Sequence, residues 1–351
     1  MSTLGGGAAR LRPAYSLADA YNARANAITP MRLALALLVV YSHSWVTGGF
    51  GFDQFFVLNN GQLQFGAVAV ISFFGLSGFL LTGSRQTTER LPFARNRFLR
   101  IVPAYWTCLV LMVIVVAPLA ASLGGTASTP AVAGWALQMG AFTLTPPDVP
   151  GIYAGLATPD WPNGPLWTLP VEVCCYIVIW LSPSRFLRPV AVYLWLGFLV
   201  WCGAVHGSSL LLHLPLAFFT GMLLWLWRDR VPAGPWWAAL LAVITAASIP
   251  IGWLGTVGPV TFAALAVWLT TRRSLMWRRD ISYGVYIYAW PVQSLLAMAG
   301  VAALGFVPYF AVVTLVVVTL ATLSALLIEE PALRFRHRRG VRGAITAGAE
   351  A

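Results

Sequence analysis

Long apolar segments recur along almost the whole chain and constrain its fold more than any other feature. A helix that crosses a bilayer needs about 20 predominantly apolar residues. Charged residues make up only 9% of this chain, against roughly 25% in an ordinary soluble domain. The sequence therefore predicts an all-α integral membrane protein, a bundle of about ten transmembrane helices. The ten predicted spans are residues 28–47, 64–83, 101–121, 166–182, 189–206, 209–227, 235–253, 257–271, 281–300 and 308–328.

The positions of the arginines support this number of spans. If the connections alternate between the two sides of the membrane, every arginine outside the spans falls on one side. These arginines lie within residues 10–24, 85–100, 185–188, 228–230, 272–279 and 334–342. Cytoplasmic segments of membrane proteins carry the excess of Lys and Arg, so both termini are predicted to be cytoplasmic. Topology thus explains the net charge of +11, and no nucleic-acid partner is expected.

The same interpretation divides the chain into three parts. Residues 1–27 are predicted as a cytoplasmic N-terminal tail, residues 28–328 as the membrane domain and residues 329–351 as an arginine-rich cytoplasmic tail. No pair of histidines has the spacing of metal ligands, so no metal is expected.

Ionisable side chains inside the spans mark candidate functional positions, because a charge is costly there. Arg32 and His43 lie eleven residues apart in the first span, close to three helical turns, so they share a face. The helical rise separates them by about 16 Å. Glu172 lies in the fourth span at a depth similar to that of His43. His43 and Glu172 are therefore predicted catalytic residues, a general base and the carboxylate that orients it. The alternative is that His43 only makes a helix-packing hydrogen bond.

A second candidate is the basic segment between the second and third spans. Arg97 and Arg100 lie three residues apart and share a face if this segment is helical. The planar fork of arginine donates two parallel hydrogen bonds to a phosphate, so these residues and Arg32 are predicted to bind an anionic ligand. The alternative is that they only hold the loop in the cytoplasm and touch anionic lipid.

Six motifs follow one another along the chain. They are Arg32 with His43, Phe-Phe and Ser-Gly-Phe in 73–79, Arg97-x-x-Arg100 before Pro-x-Tyr-Trp in 103–106, Asn-Gly (163–164) before Leu-Trp-Thr-Leu (166–169) and Glu172, Ile-Ser-Tyr-Gly-Val-Tyr in 281–286, and Glu-Glu-Pro in 329–331. In this order they resemble the family-3 membrane acyltransferases over about residues 26–335. One departure from the family is Ala289, where a histidine commonly precedes Trp-Pro, and it bears on the identity of the acceptor.

The resemblance implies an O-acyltransferase of the bacterial inner membrane. Such an enzyme moves an acyl group, most often acetyl, from cytosolic acyl-CoA to a hydroxyl of a glycan or glycosylated acceptor. Acyl-CoA would be a co-substrate near Arg32, Arg97 and Arg100, and no tightly bound cofactor is expected. His43 would be the general base, by direct transfer or through an acyl-histidine. Candidates for contact with substrate or oxyanion, by family position alone, are Ser77, Asn163, Trp167 and Tyr283.

Two other classes of protein remain as alternatives. A polytopic transporter or flippase of a lipid-linked sugar or small molecule would suit ten spans with buried polar residues. The sequence has no internal repeat of the kind that inverted-repeat transporters carry. A structural or sensory membrane protein would tolerate the loss of Arg32 and His43. The sequence favours no oligomeric state.

Overall fold

Helices joined by loops make up the residues that the computed structural model describes, namely 13, 15–23, 25–158, 160–205, 209–271 and 279–334. These residues contain no β-strand, only an isolated bridge between Ser16 and Pro232. The α-helices are α1 (Leu17–Ala20), α2 (Ile28–Thr47), α3 (Gln54–Leu58), α4 (Phe65–Thr87), α5 (Arg90–Leu111), α6 (Ala117–Ser122), α7 (Thr129–Gly140), α8 (Thr168–Leu181), α9 (Leu187–Ala204), α10 (Leu210–Leu226), α11 (Pro235–Ser248), α12 (Leu254–Thr270), α13 (Ser282–Met298) and α14 (Phe306–Ser324).

All ten predicted segments coincide with helices, and their apolar character indicates a multi-pass membrane protein. The helices α10, α11 and α12 are apolar but shorter than a usual span. The all-helical prediction is therefore confirmed, whereas the number of ten spans stays a prediction. The helical stretches that are long and apolar enough to cross a membrane are Phe65–Thr87, Arg90–Ser122, Gly164–Leu181, Ser184–Ala204 and Phe306–Arg334.

The third predicted span starts eleven residues earlier than expected. The basic segment before it is the first part of α5, so Arg97 and Arg100 lie on a helix rather than in a loop. The helix continues through a π-helical turn (Met112–Val116) into α6. Apolar content alone does not reveal this extension, because the first three turns of α5 are rich in arginine.

The long connection between the third and fourth predicted spans contains a helix, α7, that the sequence did not predict. The hydroxyl of Ser128 accepts a hydrogen bond from the amide of Ala131 at 3.4 Å, which caps the helix start. A proline in the first turn is also favourable there. The short helix α3 begins in the same way, with the Asp53 carboxylate accepting from the Phe56 amide at 3.1 Å.

Glycines bring α4 and α10 into backbone contact near the middle of the bundle. A Cβ atom at Gly78 would lie 1.9 Å from the carbonyl oxygen of Phe218. A Cβ atom at Gly221 would lie 1.9 Å from the carbonyl oxygen of Gly75. No larger side chain fits at these distances, and small residues are typical of helices that pack closely in membranes. These contacts fix the position of α4.

Helices α2 and α13 run parallel and define the two ends of the bundle. Near the start of α2, Arg32 pairs with Asp280, which precedes α13, at 3.0 Å. Near the end of α2, the hydroxyl of Ser44 accepts a hydrogen bond from Gln293 of α13 at 2.8 Å. We call these the basic end (Arg32 and Asp280) and the histidine end (His43, Ser44 and Gln293).

Residues 15–21 of the predicted N-terminal tail fold back against the connection between α10 and α11. The amide of Leu17 donates to the carbonyl of Val231 at 2.8 Å, and the Leu17 side chain is buried. The amide of Ala18 donates to the carbonyl of Arg228 at 3.1 Å. The division into two tails and a membrane domain stays a prediction, and residues 335–351 lie outside the described residues.

Candidate active site

Two cavities inside the bundle share part of their walls. The histidine cavity has a volume of about 930 Å³ and is lined by His43 among other residues. The arginine cavity is much smaller, about 60 Å³, and is lined by Arg32 among other residues. Both cavities are bordered by the same three side chains, which we call the partition: Val70 of α4, Thr168 of α8 and Tyr286 of α13.

Packing rather than hydrogen bonding holds the imidazole of His43 in the histidine cavity. Its ring stands edge-on to the indole of Trp290, with centroids 5.2 Å apart. Its Nδ1 atom is buried and makes no hydrogen bond. Gly66 lies beside the other ring nitrogen, Nε2, and has no side chain to fill the space. A Cβ atom at position 66 would lie 3.6 Å from this nitrogen. His43 thus presents an imidazole to the cavity with no protein partner on Nδ1.

Glu172 and His43 are not in contact, and they line different cavities. The carboxylate of Glu172 accepts hydrogen bonds from the hydroxyls of Tyr176 and Ser77, the latter at 3.3 Å, and faces the arginine cavity. Glu172 follows Thr168 by one helical turn towards the basic end, whereas His43 lies beyond the partition. The predicted orientation of His43 by Glu172 therefore lacks the contact that it needs in this structure.

Aromatic rings form much of the wall of the histidine cavity, and a second histidine lies among them. His213 of α10 is 2% exposed and lines this cavity. Its leucine-rich surroundings gave no signal that it faces a cavity. The predicted substrate residue Trp167 also lines the cavity. The other aromatic side chains in the wall are Phe56, Trp135, Trp161, Tyr286 and Trp290.

A carboxylate that the sequence interpretation missed joins two of the predicted anion-binding arginines. Asp280 accepts from Arg32 at 3.0 Å and from Arg100 at 2.6 Å. Burial by itself raises the pKa of Asp280, but the two guanidinium groups and hydrogen bonds from Ser282 outweigh it and lower the pKa to about 2. Asp280 is therefore an anion at neutral pH and holds the two arginines side by side.

Arg97 has different surroundings from Arg100, although both belong to α5. The Arg97 guanidinium lies over the ring of Phe93, 5.8 Å from its centroid. It borders an apolar groove of about 230 Å³ together with Tyr176 and Trp180. The groove and the arginine cavity meet at the Tyr176–Glu172 hydrogen bond. All three predicted arginines thus lie near the basic end, and Arg32 and Arg100 share Asp280 as a partner.

Asn163 satisfies a carbonyl group that a proline leaves without its helical partner. Pro291 lies inside α13 and has no N–H to donate to the carbonyl of Ile287, four residues earlier. The side-chain amide of Asn163 donates to this carbonyl at 2.9 Å, and the thiol of Cys108 donates to it at 3.4 Å. Two motifs that are distant in the sequence are therefore joined, and Asn163 has a structural partner.

We predict that Asn163→Ala destabilises the protein by about 1–3 kcal/mol, because it removes a hydrogen bond from a buried carbonyl. In a Pro291→Ala background the new amide can bond to Ile287, so the same change should cost clearly less. Thermal unfolding of the four proteins in detergent measures this coupling. An equal cost of Asn163→Ala in both backgrounds would contradict the proposed link.

The predicted oxyanion donors are mostly engaged with other protein groups. The hydroxyl of Tyr283 donates to the carbonyl of Ile101 at 3.0 Å, and the hydroxyl of Ser77 donates to Glu172. Asn163 donates to Ile287, as described above. Ser77 and Tyr283 line the arginine cavity, while Asn163 and Trp167 line the histidine cavity.

Ala289, which stands where the resembling family commonly has histidine, lies away from both cavities. Its side chain is fully buried in an apolar cluster with Ala36, Val40 and Tyr309. A methyl group at this position completes the contact between α2, α13 and α14. The departure from the family pattern therefore leaves the lining of the two cavities unchanged.

A bundle of apolar helices with a cavity on either side of a partition defines a multi-pass membrane protein with an internal site. Residues 26–326 match the model of a family described as an acyltransferase domain, and the chain belongs to this family, acyltransferase family 3. No solved structure matches the chain.

Two curated relatives resemble the chain over most of their length. It is 28% identical to nodulation protein 10 of Rhizobium leguminosarum bv. viciae, with 87% of the chain and 92% of that protein aligned. It is 26% identical to an O-acetyl transferase of Shigella phage Sf6, with 88% of the chain and 96% of that protein aligned.

Proposed function

We propose that this membrane acyltransferase moves an acetyl group from acetyl-CoA to a hydroxyl of a glycan or glycosylated acceptor. One observation carries the proposal: an arginine-lined cavity and a histidine-lined cavity meet at a common partition. A donor and an acceptor that approach from opposite sides would meet there. The O-acetyl transferase relative supports acetyl as the transferred group.

The donor enters from the basic end, which faces the cytoplasm of a bacterial cell. The arginine pattern of the sequence supports this orientation, with both termini cytoplasmic and the protein in the inner membrane. Arg32, Arg97 and Arg100 offer guanidinium groups to the phosphates of CoA. The arginine cavity lies between these residues and the partition, so the thioester end of the donor would reach the partition along its walls.

The acceptor occupies the histidine cavity. Its volume of about 930 Å³ accommodates one or two sugar rings, and its aromatic walls offer flat faces against which the apolar face of a sugar can stack. His43 lines the same cavity and is placed to accept a proton from a bound hydroxyl. Glu172 holds the wall of the arginine cavity with Ser77 and Tyr176 instead of orienting His43.

The reaction needs one base and no cofactor beyond the donor. The acceptor oxygen attacks the thioester carbonyl carbon while His43 takes the hydroxyl proton. The tetrahedral oxyanion then collapses and the C–S bond breaks. The imidazolium of His43 returns its proton to the CoA thiolate, which leaves as the thiol. An acetyl ester and free CoA are formed, and His43 is again neutral.

The proposal is tested with purified protein in lipid nanodiscs, acetyl-CoA and a panel of methyl glycosides. We expect release of CoA thiol that depends on the glycoside, and an equal amount of acetyl ester by mass spectrometry. Saturable binding of acetyl-CoA should protect the protein against thermal unfolding. Absence of both binding and thiol release would overturn the proposal and favour the transporter alternative.

A further inference from the structure

The partition contains two hydroxyl groups and one carbonyl oxygen that lie within hydrogen-bond distance of one another, and the two hydroxyl protons are shared among these three contacts. The hydroxyls of Thr168 and Tyr286 lie 2.7 Å apart. Each also lies close to the carbonyl oxygen of Pro165, at 3.0 Å for Thr168 and 3.1 Å for Tyr286. Thr168 is 4% exposed and Tyr286 is 8% exposed, so the pair is buried between the cavities.

Counting protons shows that one of these hydrogen bonds can be redirected without leaving a protein group unpaired. When Thr168 donates to the carbonyl of Pro165, the proton of Tyr286 points to the Thr168 oxygen or to the same carbonyl. Pro165 keeps its partner in either case. Rotation of the Tyr286 hydroxyl towards a newly arrived acceptor atom therefore leaves no buried carbonyl unsatisfied.

We propose that Tyr286 donates the hydrogen bond that stabilises the oxyanion during acyl transfer. The inference rests on the proposed function, since it places the thioester carbonyl at the partition, where His43 and the donor can both reach it. Ser77, Asn163 and Tyr283 donate elsewhere, whereas Tyr286 lines both cavities and its hydroxyl can be redirected. As the carbonyl oxygen gains negative charge, Tyr286 keeps its proton and only turns its O–H bond towards that oxygen.

Two substitutions break the same Thr168–Tyr286 hydrogen bond but differ in what they remove. Tyr286→Phe removes the proposed donor and keeps the ring that packs edge-on against Phe73, with centroids 6.3 Å apart. Thr168→Val removes the partner of that donor, together with the hydrogen bond from Thr168 to the carbonyl of Pro165, and keeps the Tyr286 hydroxyl. We expect Tyr286→Phe to lower kcat for acetyl transfer about 100-fold. Thr168→Val should change kcat by less than about fivefold, because Tyr286 can still donate to the oxyanion.

The matched control is Tyr288→Phe, two residues later on α13, whose hydroxyl donates to Ser324 at 3.2 Å and whose side chain lines neither cavity. Its kcat should stay within about fivefold of the parent, because its hydroxyl bonds a neighbouring helix away from the proposed site. All variants are assayed by release of thiol from acetyl-CoA with a methyl glycoside acceptor. The KM for acetyl-CoA should be unchanged in each.

Equal losses of kcat in Tyr286→Phe and Thr168→Val would assign the pair a structural role and overturn the inference. Parent-like activity of Tyr286→Phe would also overturn it while leaving the proposed function intact. Failure of the parent protein to use acetyl-CoA would instead overturn the proposed function. If Tyr286→Phe does not fold, a fluorinated tyrosine at position 286 replaces it, and an unchanged kcat with this stronger donor would overturn the inference.

Discussion

His43→Ala should lower kcat for acetyl transfer by about a thousandfold, because a positioned general base contributes roughly 10²–10⁴ to the rate. The Kd for acetyl-CoA should change little, since His43 lines the histidine cavity and the donor phosphates are assigned to the basic end. Turnover with a methyl glycoside, and donor binding by calorimetry, measure the two quantities on the same preparation.

Chemical rescue distinguishes a base from a packing residue at this position. His43 packs against Trp290, and its removal opens space at the edge of a cavity of about 930 Å³. Added imidazole should therefore restore part of the activity of His43→Ala, increasingly at a pH where imidazole is neutral. Unchanged activity of His43→Ala, or a loss that imidazole does not relieve in a protein that still binds donor, would exclude the general-base role.

Arg100→Ala should weaken binding of acetyl-CoA by about 10- to 100-fold, the size of a lost charge-assisted hydrogen bond. The effect should exceed that of Arg97→Ala, because loss of Arg100 also removes one of the two cations beside the Asp280 carboxylate. The double variant Arg100→Ala/Asp280→Asn should recover part of the affinity. Isothermal calorimetry in detergent gives the three dissociation constants.

Acetyl-pantetheine, which lacks the phosphoadenosine part of CoA, shows whether phosphate recognition is involved. The parent protein should prefer acetyl-CoA, and Arg100→Ala should lose most of that preference. Arg185→Ala is the matched control, because Arg185 lies over the ring of Phe186, 4.9 Å from its centroid, on another segment. If Arg100→Ala weakened both ligands equally, or Arg185→Ala had the same effect, specific phosphate contacts would be excluded.

The helices and the main polar positions could be predicted from apolar segments and spacing. Arg32 and His43 were expected on one face of α2. In the structure Arg32 lines the arginine cavity and His43 lines the neighbouring histidine cavity. Helical periodicity relates residues within one helix, so this part of the site could be predicted from the sequence. The predicted approach of Glu172 to His43 depended on depth alone, and similar depth does not define which cavity a side chain faces.

Contacts between segments that are distant along the chain could not be predicted from the sequence. Asp280 lies just before α13, and nothing in its surroundings indicates that it joins Arg32 and Arg100. The link from Asn163 to Ile287 depends on a carbonyl that Pro291 leaves open, which only the packing of α13 against the Asn163 segment reveals. Helix α7 has a cap signal at Ser128, but at 12 residues it is too short to be predicted as a span.

The glycine contacts of the bundle decide what kind of motion the protein can use. Helix α4 meets α10 at Gly78 and Gly221, and α13 meets α14 at Gly284, where a Cβ atom would lie 2.8 Å from the Cα atom of Ala321. Interlocked backbones resist the rocking of one half of a bundle against the other that alternating-access carriers require. Val70 and Tyr286 lie on α4 and α13, which these contacts hold against their neighbours, so a passage past the two residues would widen by rotation of side chains.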